Sequence, residues 1–262
     1  QKDRICRRFS RAAATYDEYA LLQKELAERL DANLAEITEQ QQLHGILEIG
    51  CGTGSYTGLL AARVPQARIV ALDFAAEMVG AAEAKLTGRP GVRLICTDGE
   101  EYLKTAQGGE GLDLITSNAT LQWFTDFQRS LANIARLLNP GGQLLATVFG
   151  PQTLQELSRG LSAVCGRDIE LASHDFADQK ELQNLLRNSF LQTTIERSVV
   201  NRLYPSSLDL LMQIKKTGTG GWRAGKGIVF TRALLRSLDQ WFMTQHEGCR
   251  VSYEIFFVHS RK

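Results

Sequence analysis

The stretch Ile46-Leu47-Glu48-Ile49-Gly50-Cys51-Gly52-Thr53-Gly54 decides the fold of this chain. Its apolar first half predicts a buried strand, and residues 55–64 after it read as a helix. The three alternating glycines lack a Cβ, so they allow a sharp turn and close approach of a ligand at the strand's carboxyl end. The dinucleotide pattern G-x-G-x-x-G does not fit, because Ser55 and Thr57 stand where its last glycine would be. The alternative is a turn that only joins strand to helix.

Outward from this stretch, strand and helix patterns alternate. Strands are predicted at 46–49, 68–72, 92–96, 112–117, 143–149, 191–203 and 249–259. Helices are predicted at about 55–64, 75–86, 100–106, 126–138, 152–165 and 178–189, with glycine-rich turns at 88–91, 108–111 and 139–142. The pattern indicates an α/β protein with a doubly wound, mostly parallel seven-stranded sheet and helices on both faces.

The flanks lie outside this alternation. Apolar residues at three- or four-residue spacing from Tyr19 to Ile37 predict an amphipathic helix, and a helical insertion at about 206–247 precedes the last strand. The first eleven residues are basic, and a solvated tail is one interpretation of them. We therefore expect a single domain, 1–262, with an N-terminal segment 1–42, a core 43–150 and a C-terminal part 151–262.

Composition excludes several classes of protein. Hydrophobic residues make up 44% and charged residues 23% of the 262 residues, which is ordinary for a globular domain of this size. The net charge of +1 predicts neither a nucleic-acid nor a membrane partner. The five cysteines are scattered without a C-x-x-C pair, so we expect no metal site and a reducing, cytoplasmic location.

Asp73 follows the second predicted strand directly. A carboxylate at this place can accept hydrogen bonds from a ribose diol, as in other nucleoside-binding sheets. It is equally suited to cap the helix that follows. Phe74 and Met78 would then form an apolar wall for an adenine ring.

The pattern E-x-G-x-G-x-G of Glu48 to Gly54 resembles motif I of the class I S-adenosylmethionine-dependent methyltransferases. The resemblance implies S-adenosyl-L-methionine as cofactor, and Glu48 would fix the glycine loop or the cofactor's ammonium through water. It implies that Asp98 and Gly99 lie at the adenine, a plain turn aspartate being the alternative for Asp98. The other cofactor-binding residues it implies are Gly50, Cys51, Gly52, Gly54, Asn118 and Leu121.

The same resemblance implies that residues 1–42 fold over the cofactor as a lid. Tyr16 and Gln23 would face the ligand, or they would simply pack on the sheet. The positioning residues would be Tyr16, Gln122 and Trp123, although Trp123 could equally belong to the core.

Four further segments extend the resemblance: Arg8 to Asp17, Ser117-Asn118 to Gln122-Trp123, Leu137 to Leu144, and Gln213 to Gly218 in the insertion. They are similar to the malonyl-acyl-carrier-protein O-methyltransferases of biotin synthesis. The family implies methylation of a malonyl carboxylate carried on acyl carrier protein. A carboxylate is ionised at neutral pH and needs no general base. Cations would bind the substrate or the carrier: Arg8, Arg11, Arg202, Lys215, Lys216 and Arg223. Alternatives are a methyltransferase for a small carboxylate or a quinol precursor, and a non-catalytic cofactor-binding assembly factor.

Overall fold

The computed structural model describes residues 2–107, 111–220 and 228–262. Over these residues the chain forms ten α-helices and seven β-strands around one sheet. Strands β1 to β7 span Gly45–Ile49, Arg68–Asp73, Val92–Cys96, Leu112–Asn118, Leu138–Phe149, Gln192–Tyr204 and Cys249–Arg261. Helices α1 to α10 span Lys2–Tyr19, Leu21–Gln40, Ser55–Arg63, Ala76–Lys85, Gly99–Thr105, Phe127–Leu137, Gln155–Cys165, Gln179–Arg187, Ser207–Lys216 and Arg232–His246.

The sheet has the strand order β3-β2-β1-β4-β5-β7-β6. Strands β1 to β5 pair in parallel, and β7 runs antiparallel to both β5 and β6. The chain order reverses at β1, which lies between β2 and β4, and ligands of such sheets bind at this point. The predicted doubly wound, mostly parallel sheet is confirmed.

Two apolar cores cover the faces of the sheet. Ile46 of β1 packs in the core that holds Leu30 and Leu34 of α2. Its neighbour Leu47 packs in the opposite core, which holds Ile134 of α6. Successive residues of a strand point to opposite faces, so a strand covered by helices on both sides must be apolar throughout. This is why every residue of β1 except Glu48 is apolar.

A third core supports the C-terminal part. Leu157 of α7, Leu210 of α9 and Phe242 of α10 are fully buried against the first residues of β7. The helical insertion, α9 and α10, is therefore packed onto the end of the sheet through its own apolar contacts.

Two predictions for local structure are wrong. The basic opening is the helix α1 and not a tail: Ile5 and Ala12 are buried, Arg4, Arg7 and Arg11 are exposed, and Arg8 is half-buried. The turn predicted at 139–142 lies inside β5. Leu138 still pairs with Leu112, and pairing resumes at Gln143, so a bulge accommodates these residues, with Gly141 at a φ of 77°. Of the turn predicted at 108–111, residues 108–110 lie outside the described residues.

Candidate functional site

The glycine turn after β1 opens the site. Gly50, Gly52 and Gly54 have φ values of 79°, 53° and 80°, a region that side chains disfavour. A Cβ on Gly50 would lie 2.0 Å from Thr120 Oγ1, whereas a Cβ on Gly52 would meet nothing closer than Tyr16 Cε1, at 3.9 Å. Gly50 is therefore required by packing, and Gly52 leaves open space in front of the backbone.

A cavity lies at the carboxyl ends of the first four strands, and we call it the strand-end cavity. Lys2, Phe9 and Tyr16 of α1 cover it from outside the sheet. The sheet side is formed mainly by residues at or just after the carboxyl ends of these strands. Its residues are Ile49, Gly50, Gly52, Leu72, Asp73, Phe74, Met78, Thr97, Asp98, Gly99, Asn118, Ala119, Thr120, Trp123 and Phe124. Parallel strands thus bring residues from four distant segments to one place.

Asp73 is buried in the wall of this cavity. Its Oδ2 accepts a hydrogen bond from the Gly52 N–H and its Oδ1 from the Ala75 N–H, both at 2.9 Å. Burial raises the pKa of Asp73 to about 6, although these backbone donors offset part of the effect. Ala75 and not Asp73 is the N-cap of α4, so the capping interpretation is wrong. Each oxygen retains acceptor capacity toward the cavity.

Asp98 lies at the far end of the cavity. It is the N-cap of α5, where its Oδ1 accepts from the Glu100 N–H at 2.8 Å. Its Oδ2 also forms an ion pair with Lys2 Nζ at 2.6 Å. The neighbouring Gly99 is needed for close packing, because a Cβ there would lie 2.9 Å from Ile49 Cγ2. Asp98 therefore caps a helix and lines the cavity, and its contact with an adenine stays a prediction.

A smaller cavity adjoins the strand-end cavity on the other side of the glycine turn, and we call it the Glu48 cavity. Tyr16, Gly50, Gly52 and Asn118 line both. Glu48 itself is 1% exposed, and neither of its carboxylate oxygens has a hydrogen-bond partner among the described residues. Burial raises its pKa to about 8; the Thr57 hydroxyl works against this shift and the Asp73 carboxylate adds to it.

Unpartnered buried carboxylate oxygens are rare, because their burial costs free energy that hydrogen bonds or a bound ligand must offset. The Glu48 cavity is therefore suited to a cationic group of a ligand.

A third cavity, the apolar cavity, lies on the opposite side of Trp123. The described residues that line it include no Asp, Glu, His, Lys or Arg: Gln23, Gln122, Trp123, Phe149, Thr153, Leu154, Leu157, Leu171, Ala172, Ser173, Phe176, Ile214, Thr219, Gly220 and Tyr253. The phenol of Tyr253 hydrogen-bonds to that of Tyr204 at 3.0 Å. Burial raises the pKa of Tyr253 well above its ordinary value, so it stays a neutral phenol.

Trp123 is the partition between the strand-end and apolar cavities, because it lines both. The centroid of its ring lies 6.3 Å from that of Phe9, which lines the strand-end cavity, and 5.2 Å from that of Phe176, which lines the apolar cavity. Both ring pairs are edge-on. Its Nε1–H is buried and has no partner within the described parts of the chain, and the same is true of Gln122 Oε1. Trp123, which lines both cavities, thus carries an unused donor, and Gln122, which lines the apolar cavity, carries an unused acceptor.

Comparison with known proteins identifies the family of this chain. The methyltransferase domain family matches residues 47–146. A protein of Brevibacillus brevis described as malonyl-[acyl-carrier protein] O-methyltransferase is 31% identical over 98% of this chain and 95% of its own length. The chain belongs to the malonyl-[acyl-carrier protein] O-methyltransferase family. A Methylococcus capsulatus protein of the same description is 33% identical over 93% of this chain and 82% of its own. The crystal structure of YcgJ from Bacillus subtilis, 15% identical, superposes with a TM-score of 0.61 over 90% of this chain and 98% of that one, which shows the fold.

Two predicted cofactor residues of the methyltransferase do not line the cavities. Leu121 is 1% exposed and packs in the core beneath the one-turn 3-10 helix Leu121–Trp123. Gly54 begins α3, and a Cβ there would lie 3.0 Å from Ala82 Cβ and Leu86 Cδ1, so its role is close packing of α3 on α4. Cys51 lines the Glu48 cavity, and its predicted contact with a cofactor stays a prediction.

The amide of Asn118, a predicted cofactor residue, is already engaged by the protein. Its Nδ2 donates to the Gln23 carbonyl at 2.8 Å, and its Oδ1 accepts from Thr147 Oγ1 at 2.7 Å. Its side chain therefore shapes two cavity walls by fixing α2 against β5. The predicted ligand-facing residue Gln23 lines both the Glu48 cavity and the apolar cavity.

Those predicted substrate cations of the methyltransferase that the structure describes do not line these cavities. The Arg8 guanidinium lies 5.7 Å from the centroid of the Trp123 ring, and Arg11 is exposed on the same helix. Arg202 forms an ion pair with Glu25. On α9, Lys215 is exposed and Lys216 Nζ lies 5.7 Å from the Tyr19 ring. Arg223 lies outside the described residues.

The sequence interpretation missed several residues of the site. Lys2 and Phe9 recur with Tyr16 at intervals of seven, which places all three on one side of a helix, and this spacing was the available signal. Phe176 and Tyr253 had no such signal, because they belong to separate elements and follow no motif.

The described residues give two further results. No group of three or more His, Cys, Asp or Glu side chains among them could hold a metal ion. None of their helices combines the length and the apolar composition required to cross a bilayer.

Proposed function

We propose that this methyltransferase takes its methyl group from S-adenosyl-L-methionine and transfers it to the free carboxylate of a malonyl group on acyl carrier protein. The methyl ester masks a charge at the start of pimeloyl and biotin synthesis. The observation that carries the proposal is the meeting of two unlike cavities at Trp123, one with carboxylates and one without charged side chains in its described lining. We place the reaction in the cytoplasm, where free cysteines such as the five of this chain persist.

The residues of the first two cavities fit the cofactor. Asp73 would accept hydrogen bonds from the ribose hydroxyls, and Phe74 and Met78 would contact the adenine. The unpartnered Glu48 carboxylate would accept from the ammonium, directly or through water. Asp98 would accept from the adenine amino group once Lys2 gives up part of its contact. The cofactor, when bound, supplies a methyl group on a positively charged sulfur.

Helix α1 would act as the lid of this site. Besides lining the cavity, it is tied to the core by Asp17, which accepts from Thr53 Oγ1 at 2.5 Å and pairs with Lys85 at 2.7 Å. Cys6 Sγ donates to the Phe74 carbonyl at 3.4 Å. Burial raises the pKa of Tyr16, so its phenol would act as a neutral hydrogen-bond donor and not as a base.

The apolar cavity suits an acceptor that is already a nucleophile. A malonate-type carboxylate is ionised at neutral pH, so no proton has to be removed. Apolar walls would strip water from the carboxylate and so raise its reactivity. The Trp123 Nε1–H would donate to one carboxylate oxygen and hold the other in line with the methyl group. Gln122 Oε1 would accept from an amide N–H of the pantetheine arm.

Mass spectrometry of the carrier tests the proposal. Malonyl-carrier incubated with the enzyme and S-adenosyl-L-methionine should gain one methyl group, and mild alkaline hydrolysis of the ester should return the original mass. Methylation of a free small acid or a quinol precursor in place of the carrier would overturn the assignment of the acceptor. Tight cofactor binding without transfer to any acceptor would favour an assembly factor.

A further inference from the structure

We propose that the carrier docks through an acidic surface onto a basic seam between α1 and α9, formed by Arg4, Arg8, Arg11, Lys215 and Lys216. This inference rests on the proposed function, because it takes the carrier as the partner. It goes further by assigning the place of docking and by leaving Arg202 out of it.

The seam is set by helical spacing and by contacts between the two helices. Arg4, Arg8 and Arg11 recur at intervals of four and three, so they form one stripe along α1. Thr15 continues that stripe, and its Oγ1 donates to the Lys216 carbonyl at 3.2 Å. Gln213 Nε2 donates to the Tyr19 carbonyl one turn further on. Lys215 and Lys216 therefore stand at the end of the stripe, and from Arg4 to Thr15 the seam is about 17 Å long.

None of the five seam cations forms an ion pair with a carboxylate among the described residues. Seven other cations among the described residues do have such partners: Lys2 with Asp98, Arg29 with Glu196, Arg63 with Asp31, Lys85 with Asp17, Lys104 with Glu101, Arg197 with Glu254 and Arg202 with Glu25. The chain has 29 acidic residues for 30 Lys and Arg, so the seam is not unpaired for lack of carboxylates. Five positive charges therefore lie close together, and no carboxylate of the described residues pairs with them. An acidic surface on a partner would be attracted to them and neutralise them.

Arg8 shows the cost of this arrangement. Its Nε is buried without a hydrogen-bond partner, and burial together with the charge of Arg4 lowers the pKa of its guanidinium. Within the described parts of the chain, the half-buried Arg8 lies over the face of Trp123, feels the like charge of Arg4 and pairs with no carboxylate, so an external carboxylate would compensate its charge.

The seam adjoins the apolar cavity. A Cβ on Gly218 would lie 3.1 Å from the Arg8 carbonyl oxygen, and the next two residues, Thr219 and Gly220, line the apolar cavity. An acyl group attached to a partner on the seam would therefore start beside the rim of the cavity that has to receive it. This closeness favours an acidic carrier protein over a nucleic acid, which would use the charge but not the cavity.

The test reverses two exposed seam charges, in the double variant Arg4→Glu with Arg11→Glu. The matched control is Arg232→Glu with Arg236→Glu, which reverses two exposed arginines on α10. Titration with unacylated carrier at low salt measures docking directly, without any turnover. We expect the seam variant to bind the carrier about tenfold or more weakly, and the control to bind it like the wild type.

Turnover gives a second readout, the ratio of kcat/KM for malonyl-carrier to that for malonyl-pantetheine. This ratio should fall about tenfold or more in the seam variant and stay unchanged in the control. If the double variant does not fold, the single variant Lys215→Glu should lower the same ratio to a smaller extent.

Equal carrier binding by wild type and seam variant, or equal loss in the control, would overturn the docking site. A single-stranded oligonucleotide that binds more tightly than the carrier and depends on the seam would overturn the assignment of the partner. Absence of methyl transfer to either malonyl substrate would count against the proposed function alone, because the carrier titration still decides on docking.

Discussion

The strand-end cavity and the apolar cavity differ in how the chain builds them. Residues directly after consecutive parallel strands form most of the first, so the register of the sheet brings them together. The second takes its walls from α2, the ends of β5 and β7, the segment around Phe176 and the end of α9. The residues of the strand-end cavity can therefore be predicted from local sequence, whereas those of the apolar cavity are brought together only by tertiary packing.

The two cavities also differ in charge. Carboxylates of Asp73 and Asp98 line the strand-end cavity, and Glu48 faces the cavity beside it. The described lining of the apolar cavity holds no charged side chain. The strand-end cavity can select a ligand by charged contacts, whereas the apolar cavity selects by its shape, by the exclusion of water and by a few neutral polar groups. Four experiments separate the two contributions, from the largest expected effect to the smallest.

Gly50→Ala should destabilise the fold most. The new Cβ would lie 2.0 Å from Thr120 Oγ1 at a φ of 79°, and we expect a loss of about 3 kcal/mol or more in the free energy of unfolding. Gly80→Ala is the control: it is exposed in α4 with nothing within 4 Å of its Cβ, and it should gain about 0.5 kcal/mol. Urea unfolding of both variants measures the difference. Similar stabilities would show that the turn is not held by Thr120.

Asp73→Ala should weaken the binding of S-adenosylhomocysteine about 100-fold, because hydrogen bonds to a charged group contribute about 1.5–3 kcal/mol each. Asp126→Ala is the control, since Asp126 also accepts a backbone N–H, that of Arg129, but caps α6 away from the cavity. Calorimetric titration gives both affinities. A loss of the same size in the control would mean that the effect comes from general destabilisation.

Trp123→Phe should lower kcat for the malonyl substrate about tenfold and change cofactor affinity little, because it removes the unpartnered Nε1–H and keeps an aromatic ring. Trp241→Phe makes the same chemical change where Trp241 packs against Phe242 in α10. Steady-state kinetics distinguishes the two. An unchanged kcat for Trp123→Phe would show that the Nε1–H does not position the carboxylate.

The smallest effect concerns a proton on Glu48. With its pKa raised to about 8, the empty site holds this carboxyl protonated at neutral pH. A cationic ammonium beside it favours the carboxylate, so binding should release a proton, and affinity should rise as the pH rises toward about 8.

Calorimetry at pH 7 in buffers of different ionisation enthalpy measures that release, which should approach one proton in the wild type. Glu48→Gln should release close to none. If the variant releases as much as the wild type, the proton comes from another group.

The fold and much of the strand-end cavity could be predicted, because Asp73, Asp98 and Gly52 follow strands whose apolar patterns are clear. The sequence did not reveal α1, since its arginines hide the short apolar stripe of Ile5, Phe9 and Ala12. Leu121 was misplaced because a 3-10 turn directs it into the core while the next residues face the cavities. The apolar cavity had no local signal, since residues as distant as Gln23, Phe176 and Tyr253 meet only in the folded chain.

Helix α1 has a consequence for how the molecule assembles. It is the first described element of the chain, yet its hydrogen bond from Thr15 to Lys216 spans 201 positions. Contacts between such distant segments form late, because the entropy of closing the loop is lost before they contribute. During synthesis α1 can therefore dock on the strand ends through Asp17, Cys6 and Lys2 before α9 exists, and the side of the site that α9 closes is completed last.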